Sequence, residues 1–125
     1  MIAKGQIYRL DKGHYCFVLS DPIQFPDAVV IVNMTTFHGT AGEDESCLVG
    51  HSDHTAISHQ SWMFYQKAFI LTAKQIAHQE RTGMIAEVLP DICSAPLLAR
   101  IIEGAIKSNR TPKKIIAVLK SQGAI

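Results

Sequence analysis

Apolar positions fall in short, separated runs over the first part of the chain and recur at helical spacing near its end. Gly5-Gln6-Ile7-Tyr8-Arg9-Leu10 predicts a first strand. The turn Asp11-Lys12-Gly13 closes it, with Gly13 free to take positive φ. His14 to Ser20 is rich in β-branched and aromatic residues between turn residues, so a second strand is expected. Asp21-Pro22 and Phe25-Pro26-Asp27 belong to a connection. Val29 to Thr35 is the strongest strand, and its unbroken run Val29–Val32 implies burial on both faces near the sheet centre. Thr36–Ser46 is a loop, Cys47–Val49 a short strand stopped by Gly50, and His51–Gln60 has no period. Ser61–Tyr65 and Ala68–Thr72 favour strand, with Lys74-Gln75-Ile76 closing the β region.

The last third changes character. Ser94 can cap a helix and Pro96 fits its first turn. Leu97, Leu98, Ile101, Ile102, Ala105 and Ile106 then form one apolar face. Ser108-Asn109-Arg110 interrupts it, and Thr111-Pro112 offers a new cap and first-turn proline. Ile115, Ile116, Val118 and Leu119 make the next face, which Gly123 can end. Short strands followed by two helices describe an α+β domain. The strand spacing favours a small curved antiparallel β-barrel over residues 1–76, with a helical segment over 94–123 packed on it, in one domain.

Composition narrows this picture. A chain of 125 residues with 47% hydrophobic content can bury one core. Its apolar runs fall far short of the roughly 20 residues of a spanning helix. The N-terminus has no long apolar stretch of the secretory kind, and Cys16, Cys47 and Cys93 are too few for a disulfide framework. A cytoplasmic protein with reduced thiols and no membrane association is expected. Net charge is +1, unevenly spread: residues 1–96 hold six Lys/Arg against ten Asp/Glu, and residues 97–125 hold six against Glu103 alone. Such a basic end can meet phosphate or an acidic protein, or be a solvated helix surface.

There is no Gly-rich phosphate loop, paired CxxC or HExxH, and no cofactor is implied. The segment from His51 to His59 holds three of the six histidines. Cys47, His51, His54 and His59 offer zinc-type ligands, but their C-x3-H-x2-H-x4-H spacing matches no common finger, and no metal is expected. Proton transfer is the other use of histidine. Two imidazoles beside a phosphodiester can act as base and acid, and RNA needs no metal for this because its 2′-hydroxyl is the nucleophile. His14, His54 and His59 are the candidate proton-transfer residues, with Lys67 or Arg9 as the cation. Thr35 and Thr36, at the end of the strongest strand, are candidate phosphate contacts or loop caps. The alternative for His54 and His59 is hydrogen bonding to backbone in an irregular loop. Asp53 can orient His54 or form a local turn. Trp62, Phe64, Tyr65 and Phe69 fit core or interface packing better than base stacking.

The order of segments resembles the PemK/MazF family of toxin–antitoxin ribonucleases. Gly5-Gln6-Ile7-Tyr8 is similar to that family's opening Gly-Asp-Ile-Trp strand. His14 to Ser20 resembles its Arg-Pro-Val-Leu-Val-Leu-Ser strand, and Val29 to Thr36 its third strand ending in Thr-Ser. Gln66 to Ile76 is similar to its Gln-Ile-Arg-Thr-Ile-Asp strand. Gly83-Met84-Ile85 and the helix from Pro96 resemble its Ile-Gly-Lys-Leu segment and closing helix. The resemblance implies an SH3-like barrel, a homodimer, an antitoxin partner, and cleavage of single-stranded RNA. The departures fall on the chemistry. His14 stands where the family has arginine, the late Arg/Asp pair has no evident counterpart, and the His51–Ser61 segment is additional. A non-catalytic barrel that binds a protein or nucleic acid is the alternative, since fold alone does not fix function.

Overall fold

A computed structural model describes residues 2–125. Its strands are β1 (Ile7–Leu10), β2 (Cys16–Val18), β3 (Val29–Thr36), β4 (Leu48–Val49), β5 (Ser61–Met63), β6 (Phe69–Leu71) and β7 (Ile85–Val88). Its helices are α1 (Ala73–Arg81), α2 (Ala95–Lys107) and α3 (Lys113–Ser121), with a 3-10 turn at Tyr65–Lys67. The protein is α+β, with an antiparallel sheet of order β4-β5-β3-β2-β1-β7. β3 holds the sheet together. One of its edges pairs with β2, while along the other β6 takes Val29–Ile31 and β5 takes Met34–Thr36.

The apolar run in β3 is buried on both faces, as its sequence implies. Val30 and Val32 join a cluster with Ile101, Leu97, Ile115 and Leu119 from α2 and α3. Val29 and Ile31 join a second cluster with Tyr8, Val18 and Ile76 from α1. The sheet is therefore the middle of three layers. Full burial of side chains such as Ile101 and Leu119 stabilises the fold by roughly 1.5–3 kcal/mol each before entropy is counted.

The C-terminal helices begin and end largely as their sequences predict. The Ser94 hydroxyl accepts from Leu97 N at 3.2 Å, and Pro96 lies in the first turn of α2. Gly123 takes φ 76° just past α3, where Gly123 N reaches Lys120 O and Ala124 N reaches Leu119 O. Thr111 is not the cap of α3: its hydroxyl donates to Ala105 O at 2.7 Å, satisfying the end of α2, and Pro112 occupies the cap.

Other expectations are corrected. Lys74-Gln75-Ile76 does not close the β region but opens α1. Thr72 and Gln75 form a capping box, with Gln75 N donating to Thr72 Oγ1 at 3.1 Å and Thr72 N to Gln75 Oε1 at 2.8 Å. The Gln66–Ile76 stretch is thus a 3-10 turn, β6 and a helix start rather than one strand. β7 was not expected; it pairs with β1 through Tyr8↔Val88 and Arg9↔Glu87. In the first turn Lys12, not Gly13, has positive φ. At 13 a Cβ would stand 3.2 Å from Leu10 O, a tight approach that glycine avoids. No helix among the described residues is long and apolar enough to cross a membrane.

Candidate functional site

β3 brings the candidate residues together through its register. Cys16 pairs with Asn33, and Met34 N donates to Tyr15 O at 2.9 Å. Continuing that ladder by one step sets His14 opposite Thr35. On the other edge Thr36 pairs with Ser61, and Phe37 N donates to Gln60 O at 2.9 Å, which carries His59 alongside Thr36. The result is a pocket of about 180 Å³ lined by His14, Thr35, Thr36 and His59, with Arg9 and Tyr15 on the β1–β2 side.

His59 is held from both sides by hydroxyls. Thr36 Oγ1 lies 2.9 Å from its Nε2 and Ser58 Oγ lies 3.0 Å from its Nδ1. A hydroxyl can donate or accept, so neither partner forces one tautomer on the ring. An imidazole between two such partners can take a proton on one nitrogen and release one from the other.

Arg9 supplies the positive charge. Its Nε bonds Glu87 Oε1 at 3.2 Å across the β1–β7 pair, and the Tyr15 hydroxyl donates to the same oxygen at 2.7 Å. The Arg9 guanidinium carbon stands 6.0 Å from the Tyr15 ring centroid, within cation–π range. The Tyr15 hydroxyl and Arg9 together hold the Glu87 carboxyl below its ordinary range. The bond to Glu87 raises Tyr15 and Arg9 in turn, so the cation stays charged.

No family model, curated protein or solved structure matches the chain. The functional reading therefore rests on which residues converge. His14, His59, Thr35 and Thr36 do; His54 and Lys67 do not line the pocket. His54 is buried, its Nε2 is 2.8 Å from Asp91 O, and its Nδ1 accepts from Ala56 N at 3.1 Å. These bonds tie it to the backbone of the 50–60 segment and of Asp91, away from the pocket lining. Lys67 is exposed on the 3-10 turn. Asp53 does not orient His54; it pairs with Arg100 at 2.7 Å and accepts from Gly50 N.

Among the described residues no three His, Cys, Asp or Glu side chains gather as a metal site requires. His51 Nδ1 is 3.3 Å from Ile57 O. Cys47 is buried in the core, and burial pushes its thiol pKa up despite the neighbouring Tyr65 hydroxyl and Arg100. Cys16 and Cys93 are likewise buried, with thiols pushed up to about 11, chiefly by desolvation. None of the three is set up as a nucleophile. Trp62 and Tyr65 are core residues, with Trp62 stacked at a tilt on Phe64 at 4.8 Å.

Sequence reasoning did not single out Glu87, Tyr15 or Ser58. For Glu87 the sequence carried little signal, because Ile85-Ala86-Glu87-Val88 is short and does not alternate apolar with polar positions.

Proposed function

We propose that this protein is a cytoplasmic toxin-type endoribonuclease of the PemK/MazF kind, cutting single-stranded RNA by acid–base chemistry without a metal. The observation that carries this is the convergence of His14 and His59, 45 positions apart, on a pocket that also holds Arg9, Thr35 and Thr36. One imidazole takes the proton from the 2′-hydroxyl as that oxygen attacks phosphorus. The other gives a proton to the departing 5′-oxygen. The products are a 2′,3′-cyclic phosphate and a 5′-hydroxyl end. The Arg9 guanidinium and the threonine hydroxyls stabilise charge on the non-bridging oxygens. Arg9 takes the cation role offered to Lys67. An antitoxin partner and a homodimer belong to the same proposal through the resemblance, and sedimentation of the purified protein tests the dimer.

The test is incubation with a long single-stranded RNA, with and without EDTA, beside His14→Ala, His59→Ala and His54→Ala. Discrete cuts that survive EDTA, vanish in folded His14→Ala and His59→Ala, and persist in folded His54→Ala are expected. RNA retarded in a gel but intact would leave the non-catalytic binding module. RNA neither bound nor cut would overturn the ribonuclease and leave only a barrel that binds a protein partner.

A further inference from the structure

Arg9 is the single Lys or Arg among the residues lining the pocket, and no Asp or Glu lines it. Directly behind the wall, however, stands Glu87. Its Oε1 accepts from Arg9 Nε at 3.2 Å and from the Tyr15 hydroxyl at 2.7 Å, and both donors are wall residues. The carboxylate is therefore tied to the two side chains that face an incoming phosphate. It is also fixed from the backbone, since Glu87 pairs directly with Arg9 across β1 and β7. Arg9 and Glu87 side chains are 33% and 40% accessible, so solvent weakens the pair without removing the sign of its field.

An anion in this pocket meets one cation already half-spent on a carboxylate. A single negative charge is matched by Arg9. A second would face Glu87 with no second Lys or Arg in the lining, and only the imidazole that serves as the acid, to balance it. An internal phosphodiester carries one charge, whereas a terminal phosphate monoester carries about 1.5–2 at neutral pH. We propose that Glu87 is a specificity-determining residue that suits the pocket to internal phosphodiesters and sets it against terminal phosphate monoesters. The substrate is then cut within the chain, and phosphorylated ends are poor ligands. This rests on the phosphodiester reading of the pocket and adds to it the charge class of the ligand.

The test compares two probes that cannot be cleaved. One is a 2′-deoxy dinucleotide, a diester with one charge. The other is the matching 2′-deoxynucleoside 3′-monophosphate, measured at pH 8 where its phosphate is a dianion. Binding is read from the imidazole resonances of His14 and His59. The wild-type protein should bind the diester more tightly. Glu87→Gln should shift the ratio of dissociation constants about fivefold toward the monoester, the scale of one exposed charge pair. Glu87→Asp, which keeps the charge, should hold the wild-type order, and a melting curve checks that each variant is folded. A wild-type protein that binds the monoester as tightly as the diester overturns the inference and leaves the phosphodiester site standing. The wild-type comparison decides this even where Glu87→Gln fails to fold. A ratio unmoved in folded Glu87→Gln overturns the role of Glu87 alone. Resonances that respond to neither probe overturn the phosphate site and the inference with it.

Discussion

Along β3, Val29 to Val32 are fully buried, while Asn33 to Thr36 are half-exposed. The first half lies between layers, with Ile76 of α1 on one face and Ile115 and Leu119 of α3 on the other. The second half runs out beyond those layers and is flanked by β5 and the 56–61 segment. One strand thus has a core end and a site end. Hydroxyls are tolerated at Thr35 and Thr36 because solvent reaches them, and they are held in place because Val29–Val32 anchor the strand. The projecting end of the buried strand positions Thr35 and Thr36, whereas His14 and His59 sit on the connecting segments just before β2 and β5.

If the two ends differ in this way, mutations at the site end should remove activity and spare stability. His14→Ala and His59→Ala should each lower RNA cleavage by about 10²–10⁴-fold, the usual worth of general acid–base groups. Both residues are exposed, so the melting temperature should stay nearly unchanged. Single-turnover cleavage beside a thermal melt measures both quantities. A fall in stability that matches the fall in activity would erase the distinction.

The reverse change belongs to the core end. Ile31 is 0% exposed, and Ile31→Ala should cost roughly 2–5 kcal/mol of stability through lost burial and a cavity. Thr35→Ala, four residues on, should cost under about 0.5 kcal/mol. Urea titration of the two variants gives the contrast directly.

How much of this was legible follows from where each residue sits. The core end announces itself, because Val-Val-Ile-Val is a continuous apolar run with no other economical home. α2 and α3 show their apolar faces and stop signals as plainly. α1 was missed because Ile76 is its one buried residue, so it has almost no apolar period to detect. Its signal is the Thr72-Ala73-Lys74-Gln75 capping box. At the site, His14, Thr35, Thr36 and His59 were identifiable as chemistry-bearing residues, the threonines at the end of the strongest strand and His59 in a segment without period. Their meeting depends on β3 being shared by β2 and β5, a pairing that local sequence does not encode. His54 and His59 look alike in sequence; only the fold buries one against Asp91 and exposes the other.

A smaller effect sharpens the contrast where α2 meets the sheet. Replacing a mid-helix glycine by alanine ordinarily gains up to about 1 kcal/mol of helix propensity. At Gly104 an added Cβ would run into the Tyr65 hydroxyl and stand 2.8 Å from Cys47 Cβ. Tyr65 cannot easily move, since its hydroxyl donates to Ile101 O at 2.5 Å within the core. Overpacking of about 1–3 kcal/mol outweighs the propensity gain, so Gly104→Ala should lower the urea midpoint.

The smallest expected effect concerns what fastens the site end to the core. Arg100 on α2 bonds Asp53 through Nη1 and Nη2 at 2.7 and 3.2 Å, and its Nη2 donates to Leu48 O at 2.7 Å. The Arg100 bond holds the Asp53 carboxyl below its ordinary range, against a smaller opposing push from burial. A carboxyl depressed by folding stabilises the fold fully above its unfolded value of about 3.9. It loses that contribution as pH falls through the lower folded value. The Arg100 side chain is nearly half exposed, so solvent screens the pair and about 1 kcal/mol or less is at stake. Between pH 7 and pH 5 the clip should therefore be unaffected. Towards pH 3, hydrogen-exchange protection of residues 50–59 should fall while Val29–Val32 remain protected. Asp53→Asn should reproduce that loss at pH 7. Simultaneous loss at both places would mean that the histidine-bearing wall has no separate stability, and that the two ends of β3 differ in exposure alone.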